Sequence, residues 1–493
     1  MSVRFFLIFA ILLSEEMVGS AAYGQSWWTL TVDSSDGRGY HTSLDLDSLG
    51  WPHIAYHDYQ EVDLLYAYYD GTNIIIDTVD QAEAGMWSSL ELDSMDRAHI
   101  SYYAGLASGQ LRYASRIAGS WTIETVDTTD VQDDFTSLAL DPSTDYPRIS
   151  YRGGDNLRCA WWDGSAWRIE TVDGNIGTGY ESSIALDPTR NNYPCISYID
   201  AWSKLRFAWW DGTLWRFEIV DDTLVPAFTS LAVDSSGTAH IAYSRVALSP
   251  PWPKTLRYAR RNGPADWLTE LVPYASTDYG SFPSIAVDAS NNPRICCSAD
   301  MAGDLLYAYK NGSWTVVQVD YLDRVGMHSS LALKNMVIPC MSYYDQTNQH
   351  PKYAEQVFLD VGVEAILAPP DTIELQSQQV RARVANFGNT AVKTAFNVNC
   401  TIDGWSRNIQ ISPPFLPGAR REVSFGVWDP PGEGFYTMCV TTELADENPN
   451  NDRLCKDIFV ARHDASVESI TSPPETVYCN YDYPVLVWVF NYG

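Results

Sequence analysis

Apolar residues run along this chain in blocks of about five to seven, rich in Trp, Tyr, Val, Ile and Thr and separated by Asp-Gly, Asn-Gly or Pro. Blocks of that length and composition, bounded by turn dipeptides, predict β-strands and not amphipathic helices. The blocks also recur. Ser-Leu-x-Leu-Asp or a close variant begins at Ser43, Ser89, Ser137, Ser183, Ser230, Ser284 and Ser330, at intervals of 46, 48, 46, 47, 54 and 46 residues. Ile-Ser-Tyr and Leu-Arg-Tyr-Ala variants follow in each unit, seven times each, the latter ending at Ala67, Ala114, Ala160, Ala208, Ala259, Ala308 and Ala354. Seven units with four blocks apiece predict strands A (Ser-Leu-x-Leu-Asp), B (Pro-x-Ile-Ser-Tyr), C (Leu-Arg-Tyr-Ala-Trp) and D (Trp-x-x-Glu-x-Val-Asp) in each.

Repeated four-stranded units of this size bury both sheet faces by stacking radially, so the fold class expected is all-β: a seven-bladed β-propeller over residues 25–358. Trp121, Trp167, Trp215, Trp267 and Trp314 share one place on strand D, with Ile74 in the first unit. A residue demanded in five units is expected to wedge neighbouring blades apart, not to hold a ligand. A Trp-x-x-x-x-Val strand at 27–32 precedes the first A strand, while none follows the last C strand. Residues 27–33 are therefore expected to complete the seventh sheet and close the ring by the N-terminal strand.

From Asp360 the anchors vanish, and residues 359–462 read as a β-sandwich. The stretch "YTMCVTTELADENPNNDRLCKDIFV" resembles the closing hairpin of CARDB-type immunoglobulin-like domains, which implies an Ig-like fold there. Residues 463–493 match the start of that module, so the expectation is a truncated second sandwich in a fragment of a longer protein. Cys439 and Cys455 flank the hairpin and are the candidate disulfide; Cys400 is an alternative partner for either. The acidic turn 446–452 lacks the glycine and the closing glutamate of an EF-hand loop, so no metal or cofactor is assigned, with structural calcium the one option left open. Cys159, Cys195, Cys297 and Cys340 fill repeat positions and read as small buried residues.

Composition narrows the partners. The chain carries 62 acidic against 32 basic residues, a formal charge of −30, which argues against nucleic acid and anionic membrane surfaces. Arg4, the apolar run Phe5–Leu13 and small residues near Ala22 predict a signal peptide over 1–24, hence an extracellular, secreted or surface-attached protein. Nine apolar residues do not span a bilayer, and no later run is longer. A monomeric propeller is expected.

Function in such a ring is expected in the loops of one mouth, where D-to-A and B-to-C connections meet. The candidate ligand-binding residues there are His57, Asp58, Asp200, Trp202, Arg245, Trp252, Asp300, Tyr344 and Asp345. The loop 244–255 is the longest B-to-C connection, stiffened by prolines around Trp252, and accounts for the 54-residue interval. Aromatic faces beside carboxylates suit sugar rings; the same aromatics could equally staple loops to blades. The Asp-Gly-x-x-Trp hairpins loosely resemble the Asp-box turns of sialidase-like propellers, although here Gly follows Asp directly. The whole resembles secreted prokaryotic propeller proteins followed by CARDB modules. The function expected is an extracellular binding or adhesion protein that recognises a glycan or other surface polymer, with the sandwiches as spacers. A glycoside hydrolase (sialidase-like) or polysaccharide lyase is the catalytic alternative, and envelope material without a ligand is the third; no catalytic residue is assigned.

Overall fold

The computed structural model describes residues 26–491, apart from 82, 106–108, 133–134, 224, 250–251, 277, 447, 463–464 and 473–483. The predicted signal segment, Pro250, Pro251 and the Pro473-Pro474 pair lie outside the described residues. Every regular element described is a strand. The described chain divides into two compact units, residues 26–356 and residues 357 onward.

Seven four-stranded sheets make up the first unit among the described residues. Six of them (38–80, 84–127, 137–173, 178–221, 225–271 and 281–320) take their strands in sequence order. In the seventh the order is Ser26–Thr31, His350–Val357, Ile338–Asp345, Val325–Lys334, so the earliest strand is the neighbour of the last C strand. Val32 N donates to Pro351 O at 2.8 Å just beyond it. Strand A of each sheet packs on strand A of the sheets on either side, and Arg38–Leu46 packs on both Ala84–Leu92 and Val325–Lys334. The cycle is closed, and the arrangement is propeller-like.

The first repeat anchor explains how the cycle holds. Strand A leaves backbone N–H groups on the inner edge of its sheet, where no further strand can pair them. The anchor serine supplies the acceptor to the next sheet. Leu90, Leu138, Ile184, Leu231, Ile285 and Leu331 donate their backbone N–H to Ser43, Ser89, Ser137, Ser183, Ser230 and Ser284 Oγ, and Leu44 returns to Ser330 Oγ, all at 2.9–3.1 Å. One serine column thus satisfies seven buried-edge donors.

A second device pins the sheets near the loop face. The Asp that ends each D strand accepts a hydrogen bond from the B-strand Tyr of the following sheet: Tyr56 to Asp33, Tyr102 to Asp80, Tyr151 to Asp127, Tyr198 to Asp173, Tyr243 to Asp221 and Tyr343 to Asp320, at 2.6–2.9 Å. Cations join several of these carboxylates: Arg112 on Asp80 and Arg158 on Asp127 at 2.8 Å, Lys352 on Asp320 at 2.5 Å. Burial alone would raise the Asp127 carboxyl, but the Tyr151 hydroxyl, the Thr129 N–H and Arg158 outweigh it and hold the carboxyl below its ordinary value. The repeated C-strand arginines are therefore structural. The interface between the fifth and sixth sheets is the exception. There Pro273 stands in the Asp position, Cys297 in the Tyr position and Leu306 in the Arg position, and Val272, Tyr279, Cys297 and Leu306 share one buried apolar cluster instead.

The D-strand tryptophans do stand between sheets. Trp121, Trp167, Trp267 and Trp314 meet Tyr66, Tyr113, Phe207 and Tyr258 of the preceding sheet edge-on, at 5.1–5.2 Å. Trp167, Trp215, Trp267 and Trp314 each donate Nε1–H to the preceding sheet's D-strand Glu (Glu124, Glu170, Glu218 and Glu270) at 2.8–2.9 Å. Trp121 and Trp27 Nε1 are buried without an acceptor. The sequence explains both: the matching position is Asp77, one methylene shorter, for Trp121, and Val317 for Trp27.

The second unit has a three-stranded sheet (Val361–Ala368, Gln378–Asn386, Arg420–Trp428) and a five-stranded sheet (Thr372–Glu374, Arg453–Ala461, Gly434–Thr442, Phe396–Ile402, Trp405–Ile411). Val380, Val384 and Trp428 from one and Val398, Val440 and Ile458 from the other share a single core. Cys439 and Cys455 face each other across the hairpin and form a disulfide, while Cys400 is free and buried. Ala465–Ser472 and Leu486–Asn491 form a separate two-stranded sheet.

Lengthening one carboxylate tests the wedge. Arg116 already holds Asp77 at 3.1 Å, as Arg261 holds Glu218 beside Trp267. Asp77→Glu is expected to reach Trp121 Nε1 and stabilise the ring by about 1 kcal/mol, raising Tm by about 2 °C in a thermal melt. An unchanged or lowered Tm refutes the role given to the Glu column.

Candidate functional site

The D-to-A and B-to-C loops lie on one face, tied by backbone hydrogen bonds. Tyr59 N donates to Gly37 O, Gly105 N to Glu83 O, Gly154 N to Asp130 O and Gln346 N to Arg324 O, at 2.7–2.9 Å. Most of the carboxylates predicted at this mouth are consumed in holding the loops. Asp58 accepts from Gln60 N, Glu61 N and Arg38 Nε. Asp200 accepts from Trp202 N, Lys204 N and Arg206 Nε. Asp345 accepts from Thr347 N, Asn348 N and the Asn348 amide. All three are buried Asx-turn acceptors. His57 is buried with Nδ1 2.9 Å from Ala84 O. Tyr344 is buried with its ring 4.3 Å from that of Tyr40, and Arg245 turns to Thr223 and Asp221. Trp202 and Trp252 differ: their indoles are 63% and 58% exposed on the B-to-C loops of the fourth and fifth sheets.

Asp300 is the predicted residue that lines a cavity. This cavity, of about 330 Å³, is bounded by the fifth, sixth and seventh sheets, with Phe228, Phe282 and Met327 as apolar wall and Lys254, Asp300, Arg324 and Gln346 as polar wall. It adjoins the fifth-to-sixth interface, the one without the Tyr–Asp pin. Lys254 ends the long loop two residues after Trp252. Its Nζ donates to Asp300 Oδ2 at 2.6 Å, and its backbone N–H to Asp278 Oδ1 at 2.9 Å. Ser281 and Ser298 hydroxyls donate to the two Asp300 oxygens at 2.6 and 2.9 Å. The carboxylate is thus held in one orientation by three donors. An apolar wall opposite a few fixed polar groups is the composition of a small-molecule site.

A second feature emerges only in three dimensions. Two residues before each anchor serine stand His41, Trp87, Phe135, Glu181, Phe228, Phe282 and His328. The six aromatic ones line an axial well of about 170 Å³ and touch in series: His41 on Trp87 at 3.8 Å, Trp87 on Phe135 at 4.1 Å, Phe228 on Phe282 at 4.3 Å, Phe282 on His328 at 4.2 Å, His328 on His41 at 4.5 Å. Six of the seven, all but Phe135, hold φ between +50° and +54°. That left-handed conformation is unfavourable for bulky residues and recurs because the same bulge bends six of the seven A strands. The residue column before the serines was visible in the repeat; its convergence was not. Burial, with His328 and His57 nearby, holds His41 well below its ordinary pKa, and burial pushes His328 down to about 3. His41 Nδ1 accepts from Trp87 N at 3.1 Å, as a neutral ring does.

Among the described residues no cluster of three His, Cys, Asp or Glu side chains suits a metal ion. In the second unit the acidic turn closes on Asp360 through the amides of Asn448 and Asn451. No described helix is long and apolar enough to cross a membrane.

No family model matches the sequence, and neither does any curated protein. Solved structures similar to parts of this chain include the fucose-specific lectin from Aleuria aurantia (12% identity, TM-score 0.42, 57% of this chain and 95% of that one). The Penicillium chrysogenum α-L-arabinanase complexed with arabinobiose is similar at 10% identity and TM-score 0.41, over 70% of this chain and 98% of that one. A CARDB domain from Pyrococcus furiosus, in complex with di-metal ions, is similar at 24% identity and TM-score 0.19, over 21% of this chain and 96% of that one.

The histidines of the well make a pH prediction. Their folded-state pKa values lie below the unfolded value near 6.5, so the unfolded chain takes up protons first, and their contribution to stability is lost as pH falls below about 6.5. Asp45, raised by burial to about 6, and Glu91, raised well above its ordinary value, act with the opposite sign, so the readout is a difference. The Tm of His328→Phe minus that of the parent is expected to grow as pH is lowered from 7 to 4; a constant difference refutes the neutral buried ring.

Proposed function

We propose that this is an exported carbohydrate-binding protein. Its first unit is a seven-bladed β-propeller that takes a glycan in the cavity between the fifth, sixth and seventh sheets, and its two-sheet second unit is an Ig-like, CARDB-type spacer. One observation carries the binding reading: a 330 Å³ cavity in which Phe228, Phe282 and Met327 stand with Lys254, Asp300, Arg324 and Gln346. Sugar rings present apolar C–H faces and a rim of hydroxyls, so they need an aromatic wall and fixed donors and acceptors together. The long loop supports the same reading, since it delivers both Lys254 and the exposed Trp252 to this edge of the face. Loss of the Tyr–Asp pin at this interface fits a site under a different demand from its six siblings. Asp300 is the one carboxylate lining the cavity among the described residues, and the reading proposed is binding. Export is supported by the apolar run Phe5–Leu13 behind Arg4.

A glycan panel probed with the full chain tests this. At least one oligosaccharide is expected to bind, and Trp252→Ala to weaken it about tenfold, the loss of one stacking face, with Tm unchanged because the indole is exposed. Trp202→Ala, on the neighbouring loop, separates the cavity edge from the rest of the face and is expected to have the smaller effect. Absence of binding across the panel, or indifference to Trp252→Ala, sinks the assignment.

A further inference from the structure

The charge lining the cavity is opposite to that of the chain. Lys254 and Arg324 contribute two positive charges and Asp300 one negative charge, so the wall carries a surplus of one cation in a protein whose formal charge is −30. Lys254 is spoken for, paired with Asp300 at 2.6 Å. Arg324 is not: its guanidinium reaches only the backbone oxygen of Asp300, at 3.5 Å, and has no ion pair among the described residues.

Arg324 is nevertheless firmly placed. Its backbone N–H donates to Thr347 Oγ1 at 2.9 Å, its carbonyl accepts from Gln346 N at 2.7 Å, and Val325 N donates to Gly303 O at 2.8 Å. Gly303 holds φ +76°, and a Cβ there would stand 3.0 Å from Arg324 Cα, so the two loops meet backbone to backbone. Some exposed arginines on this acidic surface find a carboxylate, as Arg168 finds Asp163 and Arg216 finds Asp211 at 2.6–2.7 Å, while Arg260 reaches only the Asn262 side-chain oxygen; Arg324 differs from all three in standing on a cavity wall. A guanidinium left without one, carried by a backbone-anchored loop on the wall of a cavity, is set to receive an anion from outside. Its planar fork matches a carboxylate by two parallel hydrogen bonds.

Resting on the glycan reading above, we infer that the sugar this cavity takes is acidic: a uronic-acid residue whose carboxylate pairs with Arg324 while its ring lies against the Phe228, Phe282 and Met327 wall. The overall negative charge repels polyanions at long range, so recognition is confined to the cavity and favours short segments.

Calorimetry of the full chain with an oligogalacturonide, its methyl ester and a sulfated galactan oligosaccharide tests the inference. The acid is expected to bind at least about tenfold more tightly than the ester. Arg324→Gln should remove that advantage without lowering Tm, and Arg324→Lys should restore part of it. Equal binding of acid and ester, or binding of the acid indifferent to Arg324→Gln, overturns the acidic-sugar assignment and leaves carbohydrate binding standing. Arg324-dependent binding of the sulfated oligosaccharide alone overturns the carboxylate in favour of a sulfate. If none of the three binds and the neutral glycan panel is also blank, both readings fall.

Discussion

Everything in the first unit depends on the fact that a four-stranded sheet with two apolar faces and an unpaired inner edge is not stable by itself. Each sheet here completes its neighbour. The anchor serine accepts the next A strand's N–H, the D-strand Asp accepts the next B strand's Tyr, and the D-strand Trp covers the preceding C strand. These interactions all cross interfaces, so they reach full number only when the cycle closes, and Leu44 N on Ser330 Oγ and the Tyr56 hydroxyl on Asp33 are among the bonds that close it. An N-terminal strand sharing a sheet with the last three strands makes opening the ring cost a whole strand's pairing instead of one interface's packing.

That logic gives meaning to departures from the repeat. At the fifth-to-sixth interface three positions depart together, Pro273 for Asp, Cys297 for Tyr and Leu306 for Arg. Replacing only one would strand a buried carboxylate or hydroxyl without its partner, which costs more than removing the whole group. The apolar cluster that replaces the pin keeps the interface closed, and the neighbouring loops are free to form the cavity around Asp300. The unpaired indoles of Trp121 and Trp27 show the opposite case, in which one partner changed and the other stayed.

Much of the architecture was legible because a repeat states the same constraint many times. The period, the strand order, the D-strand wedges, the closing strand and the Cys439–Cys455 pair all follow from residues near in sequence or at equal register. The mouth was harder. In the sequence Asp58, Asp200 and Asp345 read as carboxylates in loops, yet an aspartate in a tight turn satisfies backbone N–H groups first. Asp300 differs because serine hydroxyls and Lys254 hold it on the cavity wall. The aromatic column from His41 to His328 is in view as a repeat position, but the left-handed bulge that places five of its six aromatic residues is not.

The sequence by itself determined the strands, their order and the closing of the ring, because those follow from local periodicity and from interactions that every unit repeats. Only the tertiary structure decided which loop residues share a cavity. Phe228 and Gln346 are more than a hundred positions apart, and their meeting depends on the rotation from one sheet to the next, which no local pattern encodes. Tertiary structure also decided that Arg324 stands there without a carboxylate partner among the described residues, since whether a charge is paired is a property of the space around it.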